Sequence, residues 1–202
     1  FYFYSWDNGS ISEDLQNLDA GVYTLTVTDL NSCLVNTSFI VNEPDLLSLS
    51  SVNTHVTCFN GTDGEIDLIV SGGTSPFLYN WSHGISNEDL NNLGSNIYSV
   101  VVTDKNNCSA NLDVTINEPD QILIDGIVVD SDCYDEDLGY IEITVTGGTG
   151  VNYSFSWNGP DGFNSSLEDI YNLGYGQYSV QVFDEVNCSN AEFFIVNSPP
   201  AI

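Results

Sequence analysis

The sequence predicts an all-β chain of tandem sandwich repeats. Three observations carry that reading. Apolar residues alternate with polar ones in short segments, which is the period of a strand with one buried face. A block pattern returns every 75 to 80 residues. No segment carries an apolar stripe at the helical period.

The repeat is seen most easily at its tryptophans. YSWDNG, YNWSHG and FSWNGP place Trp6, Trp81 and Trp157 in one phase. EDLQNL, EDLNNL and EDIYNL follow, then GVYTLTVTD, NIYSVVVTD and GQYSVQVFD, each ending four residues before a cysteine. NEPD closes the first two units and NSPP stands at that place in the third. The front half of the unit occurs twice, as VTCFNGTDGEIDLIVSGGT and DSDCYDEDLGYIEITVTGGT. The reading is therefore a half repeat over 1–43, complete repeats over 44–118 and 119–198, and the start of a further linker over 199–202. The half repeat implies a chain cut from a longer one, or a module completed by another segment.

Each element has its own sequence reason. In GEIDLIVSGG, Ile66, Leu68 and Val70 share a face, as do Ile141, Ile143 and Val145 in GYIEITVTGG. The strongest strands carry Tyr23/Leu25/Val27, Tyr98/Val100/Val102 and Tyr178/Val180/Val182, and the last strands carry Phe39/Val41, Val114/Ile116 and Phe194/Val196. Gly, Asn and Asp punctuate them. The EDLNNL stretch is read as a single helical turn between strands, with Glu13/Asp14, Glu88/Asp89 and Glu168/Asp169 at its start, where carboxylates favour exposed N–H groups. A recurring Trp on a third strand and a Tyr at the start of a late strand are cues for an immunoglobulin-like sandwich. Trp6, Trp81, Trp157, Tyr23, Tyr98 and Tyr178 are accordingly assigned to the core, the tyrosines as tyrosine corners.

Charge excludes several functions. One Lys+Arg stands against 29 Asp+Glu, for a formal charge of -28. Such a chain cannot neutralise phosphates, so nucleic acid is not a partner. An anionic membrane surface would repel it. Aromatics at 12% and hydrophobics at 42% nevertheless suffice for cores. No apolar run reaches the roughly 20 residues of a spanning helix, so direct membrane insertion is not expected.

Each complete repeat has two cysteines. The spacing predicts Cys58–Cys108 and Cys133–Cys188, with Cys33 left unpaired by truncation; buried free thiols are the alternative. Disulfides imply an oxidising, extracellular setting.

The string C-x-G-x-D-G-x-I…SGGT-x-P-[FY]-x-Y-x-W-x-x-G…EDL-x-x-L…Y-[ST]-V-x-V-T-D-x-x-x-C…I-x-EP resembles the SprB-type repeats of Bacteroidetes cell-surface and gliding adhesins. The second repeat carries it almost intact; the third has DEDLG for GTDG and lacks the Pro before its aromatic strand. The resemblance implies a large secreted protein on a bacterial outer surface. Its repeats would be stalk or spacer modules supporting adhesion or gliding motility, and not catalysts. Their partners would be other repeats of the same chain, with surface glycans or proteins as further candidates.

The residues themselves offer little chemistry. A Ser-His-Asp arrangement does not recur, since His83 has no counterpart in the other units, and enzymatic activity is not expected. No cofactor is called for. Calcium is the one ion to weigh, because Asp130, Asp132, Asp135, Glu136 and Asp137 cluster near a repeat junction; a solvated acidic loop is the alternative. Asp29, Asp104 and Asp184 close strands and are read as turn-setting residues. Phe163, Tyr171 and Tyr175, in or beside an insertion of the third repeat, are candidate contacts for a glycan or protein. A self-associating filament, in which a neighbouring chain completes residues 1–43, is a further reading.

Overall fold

The computed structural model describes residues 1–131 and 138–198. Its strands run β1 Tyr2–Trp6, β2 Gly21–Asp29, β3 Leu34–Val41, β4 Ser48–Thr54, β5 Gly64–Ser71, β6 Leu78–Trp81, β7 Leu90–Leu93 and β8 Asn96–Thr103. They continue as β9 Ser109–Ile116, β10 Leu123–Val129, β11 Gly139–Thr146, β12 Ser154–Asn158, β13 Asn164–Ser165, β14 Ile170–Leu173, β15 Gly176–Phe183 and β16 Ser189–Val196. The sheets are β1-β2-β3, then β4-β5-β7 with β6-β8-β9, then β10-β11-β14 with β13-β12-β15-β16. The second and third repeats thus each contain two sheets, and the first contains one.

The described chain divides into two compact units. One holds Phe1–Ser48, Val70–Leu78 and Thr103–Ala110; the other holds Leu49–Ile69, Tyr79–Val102 and Asn111–Ile202. In the larger unit the third repeat buries Ile141, Trp157, Ile170, Leu173, Tyr178, Val180, Val182 and Val196 as one core. Its residues alternate along each strand because successive side chains face opposite sides of a sheet. Ile66, Leu68, Trp81, Leu90, Leu93, Tyr98, Val100 and Ile116 are buried at the matching places of the second repeat.

The smaller unit shows what a sandwich loses without its second sheet. Trp81 and Trp157 are 2% and 1% exposed, whereas Trp6 is only half-buried and Phe39 is 50% exposed. Trp6, Leu18, Tyr23, Leu25, Phe39 and Val41 line an open apolar hollow on the inner face of β1-β2-β3.

The tyrosine corner is present in all three repeats. Tyr23, Tyr98 and Tyr178 donate their hydroxyls to the carbonyls of Asp19, Gly94 and Gly174, each four residues back, at 2.9, 3.1 and 3.0 Å. The indole N–H of Trp6, Trp81 and Trp157 likewise reaches a following backbone carbonyl, of Ser12, Asn87 and Leu167. Trp81, Trp157, Tyr98 and Tyr178 therefore bury their ring area while the polar atom keeps a partner.

The expected helical turn at EDLNNL is corrected. Leu90–Leu93 and Ile170–Leu173 are strands β7 and β14, paired with β5 and β11. Their carboxylates do not cap a helix. Asp89 accepts the N–H of Leu68 at 3.0 Å and Asp169 that of Ile143 at 2.9 Å. A side-chain oxygen thus continues the ladder where the short strand has ended, satisfying an N–H that would otherwise be orphaned. In the first repeat the same residues, Leu15–Leu18, form no strand. The backbone bias is nonetheless shared, since Asn17, Asn92 and Asn172 all have φ near +57° (55, 56 and 58°). Local chemistry sets the turn; the neighbouring strand decides whether it becomes a sheet.

Candidate functional site at a repeat junction

Each complete repeat has a leading end and a trailing end. In the third repeat the leading end gathers the start of β10, the β11–β12 loop and the β15–β16 hairpin. Asn190 donates to the Ile122 carbonyl at 2.7 Å, Gly148 N–H to Asp120 O at 2.8 Å and Thr149 N–H to Asp184 Oδ2 at 2.8 Å. The β11–β12 loop needs glycines. Gly147 and Gly148 have φ of 82° and 69°, and a Cβ on Gly147 would run into the backbone carbonyl of Gln121. The GGT motif is thereby explained as a backbone seat for the incoming linker.

The hairpin at this end is set by one carboxylate. Asp184 Oδ1 accepts the N–H of Val186 at 3.0 Å and of Cys188 at 2.8 Å, and Asn187 takes φ +67°. This is an Asx-type turn, which an Asp side chain forms by imitating a backbone turn. Its result is to fix the direction of Cys188.

The trailing end of the second repeat carries a different turn, Cys58-Phe59-Asn60-Gly61. Gly61 N–H bonds to Cys58 O at 2.9 Å, and Asn60 N–H to a Glu118 carboxylate oxygen. Asp63 accepts Thr57 N–H at 3.0 Å. Hydrogen bonds from the Thr57 hydroxyl and amide hold the Asp63 carboxyl below the usual carboxylate range. Asn117 N–H reaches His55 Nδ1 at 3.2 Å, so that histidine braces the last strand.

These two ends are joined covalently: Cys58 is bonded to Cys188, 130 positions later. The Cys188 sulfur also lies 3.3 Å from the Thr57 carbonyl oxygen. A small cavity of about 100 Å³ beside the bond is lined by Cys58, Phe59, Pro119, Asp120, Ile122 and Asn190.

The expected pairing within each repeat is corrected by this bond. Cys58 and Cys188 belong to successive repeats, and Cys108 is exposed and reduced, as is Cys33. Cys133 lies outside the described residues. The physical reason is the length of a strand. In the third repeat the end of β10 and the residue after β16 meet at the trailing end, where Ser131 N–H bonds to Asn197 O. The Cys188 hairpin lies at the leading end, on the far side of β11. Eight residues at roughly 3.3 Å span about 26 Å, whereas disulfide Cα atoms stand roughly 4.4–6.8 Å apart. The sequence signal was available: the loop before the second strand of a sandwich and the last hairpin sit at opposite ends.

The other expected site residues are dispersed. Asp130 accepts both the backbone and side-chain N–H groups of Asn197, at 2.8 and 3.2–3.3 Å, which ties β10 to β16. Asp132, Asp135, Glu136 and Asp137 lie outside the described residues. Phe163 packs edge-on against Tyr178 at 5.3 Å and is partly buried. Tyr171 donates to Glu142 at 2.9 Å and stacks on Tyr140; the acceptor carboxylate, with desolvation, pushes its pKa up. Tyr175 is 64% exposed. His83 bonds to Ser82 and stacks on Tyr98 at 4.8 Å. Its ring thus has a packing role, with no carboxylate orienting it as a base.

The family model of the SprB repeat matches residues 50–84 and 126–162. At those two places the chain is similar to the SprB repeat. The matches run from within β4 to just past β6 and from within β10 to just past β12, the front half that brings the inward Ile–Leu/Ile strand and the core Trp. No curated protein matches the chain in sequence. Among solved structures, the three N-terminal domains of the highly immunogenic outer capsid protein Hoc of bacteriophage RB49 align at TM-score 0.51 and 15% identity, over 96% of this chain and 84% of that one. The N-terminal eight immunoglobulin domains of Down syndrome cell adhesion molecule align at TM-score 0.44 and 11% identity, over 98% of this chain and 33% of that one. Paired antiparallel sheets with a core Trp and a tyrosine corner make the fold immunoglobulin-like. SprB repeats belong to cell-surface proteins, and repeats of this kind are generally not enzymes. No helix among the described residues is long and apolar enough to cross a membrane.

Proposed function

We propose that these SprB repeats are stalk or spacer modules of a large secreted bacterial surface protein, holding an adhesive part away from the cell and supporting adhesion or gliding motility. The observation that carries this reading is the Cys58–Cys188 bond, which ties the trailing end of one repeat to the leading end of the next. A linker alone leaves two sandwiches free to swing. A linker with a second covalent tie a few residues away resists both bending and pulling. Residues 1–43 are, on this reading, the back half of a repeat in the same array. A formal charge of -28 adds repulsion between neighbouring stalks, felt over about 8–10 Å at physiological salt. The disulfide is in keeping with an oxidising, extracellular compartment.

The reading is tested by labelling intact cells with an antibody raised against this chain. Surface label on unpermeabilised cells, with the bound antibody extending beyond the outer membrane in electron micrographs, is the expected result. Label that requires permeabilisation would overturn it.

A second reading has its own observation. Tyr171 and Tyr175 are 50% and 64% exposed on the third repeat, close to its insertion, and suit contact with a glycan or protein. Tyr175→Ala with Tyr171→Ala should then abolish surface binding while leaving the melt of the chain intact. Undiminished binding removes the idea.

A further inference from the structure

The leading-end turn of the second repeat is built like that of the third. Asp104 Oδ1 accepts the N–H groups of Asn106 and Cys108, both at 2.8 Å, and Oδ2 accepts that of Thr74 at 2.9 Å. These are the bonds that Asp184 makes to Val186, Cys188 and Thr149. Gly73 N–H meets Asp45 O as Gly148 N–H meets Asp120 O. Asn107 has φ +65° where Asn187 has +67°. The first repeat builds the hairpin again: Asp29 Oδ1 accepts from Asn31 and Cys33, and Ser32 has φ +66°. Three carboxylates therefore aim three cysteines in one way.

One of the three is used. Cys188 is bonded to the trailing turn of the repeat ahead of it, and Cys33 and Cys108 are exposed thiols. The 202 residues contain no counterpart of Cys58 for the first repeat. In the linker into the second repeat, Leu46 is 88% exposed, at the position that Gln121 holds in the cavity lined by Cys58 and Cys188. The aimed thiol and this linker position are the counterparts of Cys188 and Gln121, which line one cavity with Cys58 and Phe59 in the third repeat.

We propose that Cys108 forms the same bond, to the trailing-turn cysteine of the repeat directly ahead of it in the parent chain, and that this staple recurs at each junction of the array. The inference rests on the tandem-stalk reading above. Its chemistry balances as a dithiol oxidation. Two protein thiols lose two protons and two electrons to the disulfide of a thiol oxidoreductase, which leaves as a dithiol after passing through a mixed disulfide. The stalk then has two covalent connections at every joint.

The test is a disulfide map of the native parent protein, alkylated before denaturation and digested at acidic residues without reduction. The expected result is a Cys108 peptide linked to a cysteine in the front half of the repeat ahead, alongside Cys58 linked to Cys188. Cys108→Ser should make that upstream cysteine newly reactive to alkylation and change no other site. Alkylated Cys108 in a protein that does have a repeat ahead would sink the staple and leave the stalk reading standing. A Cys58–Cys108 peptide would also sink it. A parent protein in which no front half of the first repeat precedes residue 1 would overturn both.

Discussion

Cys58 and Cys188 are bonded to each other from opposite ends of successive repeats, and no cysteine bond is formed inside a repeat among the described residues. The cross-link therefore acts on how repeats are connected and leaves each core to its own packing. Removing it should cost roughly 2–4 kcal/mol, the usual worth of a long-range disulfide. Cys188→Ser compared with the parent sequence in guanidinium unfolding measures this. In the 202 residues taken alone and unreduced, where the upstream partner is missing, Cys33 and Cys108 should react quickly with a maleimide, and Cys58 and Cys188 should not.

The corner tyrosines should rank by burial. Tyr178 and Tyr98 are 3% and 7% exposed, and each donates to a carbonyl four residues back. Tyr178→Phe and Tyr98→Phe should each lose about 1 kcal/mol, the net worth of a hydrogen bond in a buried setting. Tyr23→Phe should lose less, because Tyr23 is only half-buried and its carbonyl partner, Asp19, is exposed and can turn to water. Thermal melts of the three variants would give the order, and an equal loss at Tyr23 would contradict it.

Glycine at the start of the second strand should be intolerant of even a methyl group. A Cβ on Gly139 would stand 2.6 Å from Val196 Cγ1 and 3.0 Å from the Leu173 carbonyl oxygen. On Gly64 it would meet Ile116 Cγ2 and Leu93 O, both at 2.8 Å. Each glycine lies between a paired strand of its own sheet and the last strand of the other sheet, β16 or β9. Gly139→Ala should destabilise by roughly 1–3 kcal/mol through overpacking, read as a fall in the urea midpoint.

The cysteine-aiming turn should open in acid. Asp104 is 4% exposed. Desolvation alone would raise its pKa, but the amides of Cys108, Thr74 and Asn106 outweigh it and hold the carboxyl below its usual range. A depressed folded pKa contributes stability that is fully present above the unfolded value. That stability is lost as pH falls through the folded value. Amide exchange at Asn106 and Cys108 should therefore stay slow through pH 5 and rise only once pH drops below about 4, the ordinary carboxylate pKa. Asp104→Asn should remove that acid transition. A transition that survives the substitution would assign it to another carboxylate.

Much of the fold is legible in the sequence because its causes are local. Alternation at Ile66/Leu68 and Val180/Val182 places strands, since the side-chain period of a strand is fixed by its backbone. The Asp-x-x-x-Cys hairpins follow from a carboxylate reaching amides two and four residues on. Tyr and Trp repeat in phase because every sandwich needs a large ring with a satisfied polar tip. Three matters belonged to the tertiary structure. EDLNNL became a strand only where β5 or β11 lay alongside, as its irregular first copy at Leu15–Leu18 shows. Trp6 and Trp81 share a motif, yet only Trp81 is fully buried, because burial needs a second sheet. And Cys58 found Cys188 because a disulfide reaches only a few ångströms, while the strand between two cysteines of one repeat is several times longer. Spacing along a chain says which residues are equivalent; distance in space decides which of them meet.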